Sequence, residues 1–185
     1  AASGLFGLSS GTIANVTVSG IIDGRGGPTS SYVGGIVGQN NGIVRDSHSS
    51  ATVYGYYAGG LSGGSATGTA TIKRSTASGT VYALDSSPYA GGLAGTAYSV
   101  IDSSASGNVI STVSNSYVGG LVGYMTGDIS RSSASGNVTA SGNNVRAGGL
   151  VGFSTGAITD SIATGAVTAG TKAVAGGLVG QASGA

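Results

Sequence analysis

The sequence predicts an all-β chain, a parallel β-helix (β-solenoid) of about six coils of 28–29 residues. Three observations carry that expectation. An anchor segment returns along the whole chain, a second motif follows it at a nearly constant distance, and the composition is too poor in large apolar side chains for an ordinary core. A period of this length marks a repeat architecture and governs every other reading of the chain.

The anchor stands as Ser116-Tyr117-Val118-Gly119-Gly120-Leu121-Val122-Gly123. Tyr32 to Gly38 reads YVGGIVG, Tyr57 to Gly63 YAGGLSG, Tyr89 to Gly95 YAGGLAG, Arg146 to Gly152 RAGGLVG and Val174 to Gly180 VAGGLVG. Ser3-Gly4-Leu5-Phe6-Gly7 opens the chain on a further copy. Coils therefore start near residues 3, 34, 59, 91, 119 and 148, with a partial coil from 176, and residues 1–185 form one repeat array. Leu121 and the Val or Ala before the glycine pair are three apart, so strict alternation cannot bury both. A bend at Gly-Gly that switches parity solves this. The Gly/Ser/Thr/Asn-rich segments after the anchor read as turns.

The second motif is Ile129 to Val138, with relatives at Ile13 to Ile22, Val44 to Val53, Ile72 to Val81, Val100 to Val109 and Ile158 to Val167. Successive copies begin 31, 28, 28, 29 and 29 residues apart. Ser132, Ala134, Gly136 and Val138 stand two apart, the period of a strand with one buried face. These inward residues are small and let backbone layers approach closely. Each unit thus holds two clear strands, or three, and almost no helical pattern. Coils rising about 4.8 Å each give a rod of roughly 30 Å, and the crossover rule makes it right-handed. Propeller blades need more residues per unit.

Thirty-eight residues are Gly and nine are Tyr, while Trp, Cys and Glu are absent. Without a period such a bias would read as disorder; the strict apolar register argues against it. The net charge of +1 gives nucleic-acid or anionic-membrane binding no electrostatic support. No apolar run reaches membrane-span length, and no signal-peptide pattern opens the chain. Absence of Cys excludes a disulfide framework without assigning a compartment. The chain opens and closes inside a repeat. That leads us to expect a piece of a longer array, or ends covered by other copies.

At Gly120-Leu121-Val122-Gly123, Gly149-Leu150-Val151-Gly152 and Gly177-Leu178-Val179-Gly180 the sequence resembles the GLUG-motif repeat family. Gly35-Ile36-Val37-Gly38, Gly4-Leu5-Phe6-Gly7 and Gly92-Leu93-Ala94-Gly95 are close variants. Gly60-Leu61-Ser62-Gly63 departs from the pattern, in the repeat whose following turn is stretched, so local irregularity is expected there. The resemblance spans the whole chain. It implies repeats of large bacterial surface proteins, including haemagglutinin-like adhesins and the non-catalytic regions of IgA-cleaving metallopeptidases. It further implies a secreted, extracellular or cell-surface stalk, adhesin shaft or filament subunit, and brings no catalytic residue.

Stacking turns each motif position into a ladder. One reads Asn15, Asp46, Arg74, Asp102, Arg131, Asp160, in which acid and base alternate between neighbouring layers. A second is Tyr32, Tyr57, Tyr89, Tyr117 and Arg146, expected on the outside. It reads first as self-stacking that stiffens a face, next as an interface with another copy, and last as a glycan platform. Tyr54 and Tyr82 form a shorter pair. A third ladder, Ser19, Ser50, Ser78, Ser106, Ser135 and Thr164, reads as a solvated polar face.

Little else carries chemistry. His48 is the single histidine, in a column of Thr and Ser, and reads as outward-facing. The acids are Asp23, Asp46, Asp85, Asp102, Asp128 and Asp160, which form no paired acid/base or metal pattern. The sequons at Asn15 and Asn137 fall in predicted strands. No catalytic residue, metal or cofactor is expected. The partners expected are other copies, end to end or side by side, and host or cell-surface glycan or protein, with neither nucleic acid nor membrane insertion. A non-enzymatic shaft, spacer or filament subunit of a bacterial extracellular protein is the leading expectation. A binding module using the Tyr face is the alternative, and a β-helix polysaccharide-active enzyme is disfavoured by the scarcity of acids.

Overall fold

The computed structural model describes residues 1–65, 68–84 and 88–183. The described chain is all strand and turn, and every pairing between strands is parallel. Each strand bonds to its equivalents one coil before and one coil after, which is a parallel β-solenoid of about six turns. Register follows the repeat: Tyr89 lies over Tyr117, Val100 over Ile129, Ala105 over Ala134, and Val109 over Val138.

Each coil carries five short strands rather than the two or three expected. In one coil they are Tyr117–Gly119, Val122–Met125, Ile129–Ser130, Ser133–Ala134 and Val138–Ala140. Stacked, they make five sheets, called I to V in that order; sheets I and II have seven strands and the others six. Strands of two to four residues are too short to show a period in sequence, which is why the extra ones escape a pattern reading.

The interior is divided in two. Leu121, Val122, Met125, Ile129 and Ala134 belong to one apolar column, enclosed by sheets II, III and IV. Val118, Val138, Ala140 and Val109 belong to a second, between sheets I and V. The bend falls at Gly120 and Leu121, between sheets I and II, and sends Val118 into one column and Leu121 into the other. At that bend a single carbonyl serves two donors. Leu150 O accepts from Leu121 N at 2.8 Å and from Val122 N at 3.1 Å. The glycines are there for space: a Cβ on Gly120 would collide with the Gly149 carbonyl oxygen and lie 3.0 Å from the Ala134 Cβ.

A second parity switch lies between sheets III and IV, at a place the sequence reading treated as continuous strand. Asn15, Asp46, Arg74, Asp102, Arg131 and Asp160 all have positive φ, between 46° and 57°. The left-handed residue lets Ile129 and Ser132, three apart, both face inward. It also breaks the backbone ladder, and a buried serine column repairs the break. Ser103 Oγ accepts from Ser75 N at 3.2 Å and donates to Ile101 O at 2.8 Å. Ser132 does the same for Ser103 N at 3.2 Å, and Ser75 for Ser47 N at 3.2 Å. The inward alternation Ser132, Ala134, Gly136, Val138 holds and runs on to Ala140.

The irregular third repeat is visible in the structure. Ser62 takes a buried apolar position, and its hydroxyl has no partner.

Candidate functional site

The Tyr ladder is brought together as a continuous column on the outside of sheet I. Tyr32, Tyr57, Tyr89, Tyr117 and Arg146 are register partners in successive coils. Tyr32 and Tyr57 stack at 4.7 Å, while Tyr57–Tyr89 and Tyr89–Tyr117 meet edge to face at 5.0 Å. The Arg146 guanidinium lies 4.9 Å from the Tyr117 ring centre and donates to Gln181.

Sequence reading missed the other half of the site. The outward column of sheet II runs Leu8, Gln39, Gly64, then Thr96, Tyr124, Phe153 and Gln181. Because the chain bends sharply at Gly-Gly, the outer faces of sheets I and II turn toward each other. Tyr124 stacks on Tyr89 at 5.3 Å and on Phe153 at 5.2 Å, and meets Tyr117 edge-on at 5.7 Å. The two columns thus form one aromatic seam along a groove. Only Tyr124 and Phe153 mark the second column in sequence, too few to stand out among its Leu, Gln, Gly and Thr. Desolvation, followed by neighbouring phenols, pushes the Tyr57 and Tyr89 hydroxyl pKa values up. These phenols therefore remain protonated donors at neutral pH.

A groove of about 450 Å³ opens on this seam, lined by Tyr32, Tyr57, Tyr89, Tyr98, Tyr124 and Thr96, among others. That lies within the roughly 300–1,000 Å³ of small-molecule clefts. Among the described residues, none of its lining side chains is charged.

The charge ladder forms at the left-handed corner. Arg74 bridges to Asp46 at 2.7 Å and Arg131 to Asp102 at 2.6 Å, each through two nitrogens, and Arg45 also reaches Asp46. Arg74 acts on Asp102, and Asp160 on Arg131, through space. Arg74, then Arg45, pulls the Asp46 carboxyl down to about 2. Arg131 lowers that of Asp102. All these groups are at the solvent edge, where an ion pair adds little stability, as expected of a ladder that serves register more than stability.

The remaining candidates sit apart. Tyr54 and Tyr82 stack at 4.7 Å outside sheet V, where Arg25, paired with Asp23, covers Tyr54. The Ser19 to Thr164 column is exposed throughout. His48 faces outward, its Nδ1 2.6 Å from Thr76 Oγ1. Asp128 accepts from Ala157 N, and Asp85 lies outside the described residues. Among the described residues no three His, Cys, Asp or Glu side chains gather. The two sequons are corrected: Asn15 occupies the left-handed corner, and Asn137 lies just before its strand; neither is within one.

Fold and repeat together define a parallel β-solenoid repeat protein. Residues 29–54, 86–110 and 114–139 match the family model described as the GLUG motif. These three repeats are of the GLUG-motif type, and the match leaves out residues 1–28, 55–85 and 140–185. No curated protein and no solved structure matches the chain.

Proposed function

We propose that this chain is a non-enzymatic structural segment of a bacterial extracellular or cell-surface protein, acting as shaft, spacer or filament subunit. One observation carries the reading: among the described residues the six full coils bond in register, each to the next, across all five sheets. Such a stack is one-dimensional, and each added coil lengthens it by about 4.8 Å. Load along the rod is shared by parallel backbone ladders, which suits a spacer. The resemblance to repeats of bacterial surface proteins supports the location. The test uses purified chain, small-angle scattering and native mass spectrometry. A rod-shaped monomer supports the shaft or spacer, and concentration-dependent end-to-end growth supports the filament subunit. A compact particle that hydrolyses polysaccharide overturns the reading.

A second reading is favoured by the aromatic seam: the groove between sheets I and II binds a glycan or a partner surface. Tyr rings offer large amphipathic area at low conformational cost. A glycan array tests it, with a signal abolished by Tyr89→Ala and Tyr117→Ala as the supporting result.

A further inference from the structure

The seam is interrupted once. In the outward column of sheet II, Gly64 and Thr96 stand where the next coils place Tyr124 and Phe153. A Cβ on Gly64 would meet the Thr96 hydroxyl and the Tyr32 ring, so the tier left without bulk is that of Thr96, a notch roughly 5 Å tall. Tyr57 and Tyr89 wall it, Tyr124 closes one end, and Tyr98 stands at its rim. We propose that this notch is a binding site for one neutral pyranose ring, the terminal or an accessible unit of a glycan. The proposal rests on the reading of the seam as a binding face and narrows it to one place and one ligand class.

Shape and chemistry point the same way. The column position fits a six-membered ring, because the neighbouring coils fill it with Tyr124 and Phe153. The lining alternates aromatic surface with hydroxyls from Thr96, Thr126 and the tyrosines. A pyranose has the matching character, an apolar C–H face and a polar hydroxyl edge. A hydrocarbon ring would leave the polar groups unanswered. An anionic or cationic ligand finds no counter-charge in the lining. Thr96 Oγ1 is held in place by the Ser65 N–H at 3.0 Å. The phenols of Tyr57 and Tyr89, raised in pKa by burial, remain available as donors.

The coil that borders the notch through Tyr57 and Ser65 is also the one that breaks the repeat. It buries the Ser62 hydroxyl without a partner, places Gly64 in the outward column, and lines the groove with Ser65 and Gly68. Departures from local consistency concentrate where function sets the sequence.

The experiment is chemical-shift mapping on the whole chain. Probes are methyl β-glucopyranoside, methyl β-galactopyranoside and N-acetylglucosamine, with N-acetylneuraminic acid and tyrosine amide as controls. The expected result is a Kd on the order of 1 mM or tighter for a neutral sugar, with shifts confined to Tyr57, Tyr89, Thr96, Tyr98 and Tyr124. Thr96→Tyr places in the notch the side chain that the following coil already accommodates, and should weaken binding about tenfold or more. Tyr82→Ala, outside sheet V, should leave it unchanged. If a sugar binds wild type and Thr96→Tyr equally, the notch proposal fails while the wider seam reading stands, since the new ring only extends the seam. If no neutral sugar binds, or tyrosine amide binds more tightly at the same residues, both fail for glycan. Shift mapping on wild type decides the site even where the variant does not fold.

Discussion

Each coil reverses side-chain parity at two corners, and the two are built in opposite ways. Between sheets I and II the chain bends at Gly120 and Leu121, just after Gly119, yet neither glycine has positive φ. Between sheets III and IV it bends through a residue at positive φ, yet that residue is Asn, Asp or Arg in the six coils. Glycine's freedom to adopt φ > 0 is thus not what selects glycine here. Space selects it: the Gly-Gly corner lies against the next coil's backbone and the Ala134 column, whereas the left-handed corner projects its side chain into water. In a stacked repeat, a position fixed in kind reports a crowded interior. One that varies reports an open exterior, whatever its backbone conformation.

The sharpest way to break that comparison is Gly120→Ala. Its methyl would meet the Gly149 carbonyl oxygen and the Ala134 Cβ, both fixed by their own ladders. We expect destabilisation of about 3 kcal/mol or more, or failure to fold, read by thermal or urea unfolding. A variant as stable as wild type would show that the corner glycines are not held by space.

Next in size is Ser103→Ala. Ser75 N–H is buried and would lose its only cross-coil acceptor, because the left-handed residue before it has carried the backbone out of register. An orphaned buried donor costs about 1–3 kcal/mol. Ser106→Ala, on the exposed column, should cost far less in the same unfolding assay.

These two variants also divide what the sequence disclosed from what it did not. The coil length, the stacking of Asp46 under Arg74, and the bend at Gly-Gly were all readable, because each rests on identities repeated at a fixed interval. The left-handed corner was not. Arg74 and Arg131 carry no turn signal, and a column that tolerates both charge signs looks like an ordinary strand surface. The buried serine column was read only as small and inward, since its hydrogen bonds run between coils. Half of the aromatic seam was legible in Tyr32, Tyr57, Tyr89 and Tyr117. The other half depends on a bend that brings two outer faces together, which no linear pattern encodes.

The reciprocal substitution, Arg131→Gly, tests the open corner. Glycine enters the left-handed region without steric cost, while the bridge to Asp102 is lost and the unfolded chain gains freedom. With the side chain in water, the net effect should be small, a shift in melting temperature of about 2 °C or less. A loss rivalling that of Gly120→Ala would mean the corner is held by its side chains and not by backbone stacking.

The smallest effect is the pH dependence of the charge ladder, and two aspartates separate its local and long-range parts. Asp23 and Asp46 are both drawn down to about 2, the first by Arg25, the second chiefly by Arg74. Arg25 is two residues away along the chain, so much of that pairing persists when the chain unfolds. Arg74 is 28 residues away and is lost on unfolding. A carboxyl with a folded pKa below its unfolded value near 3.9 contributes stability that is fully present above that value. The contribution disappears as pH falls through about 2. Unfolding midpoints measured from pH 6 down to pH 2 should therefore fall less steeply in Asp46→Asn than in wild type, whereas Asp23→Asn should track wild type. About 1 M salt should shrink the difference by screening an exposed pair. Equal effects at both sites would mean that the ladder contributes through each residue's own turn and not through contact between coils.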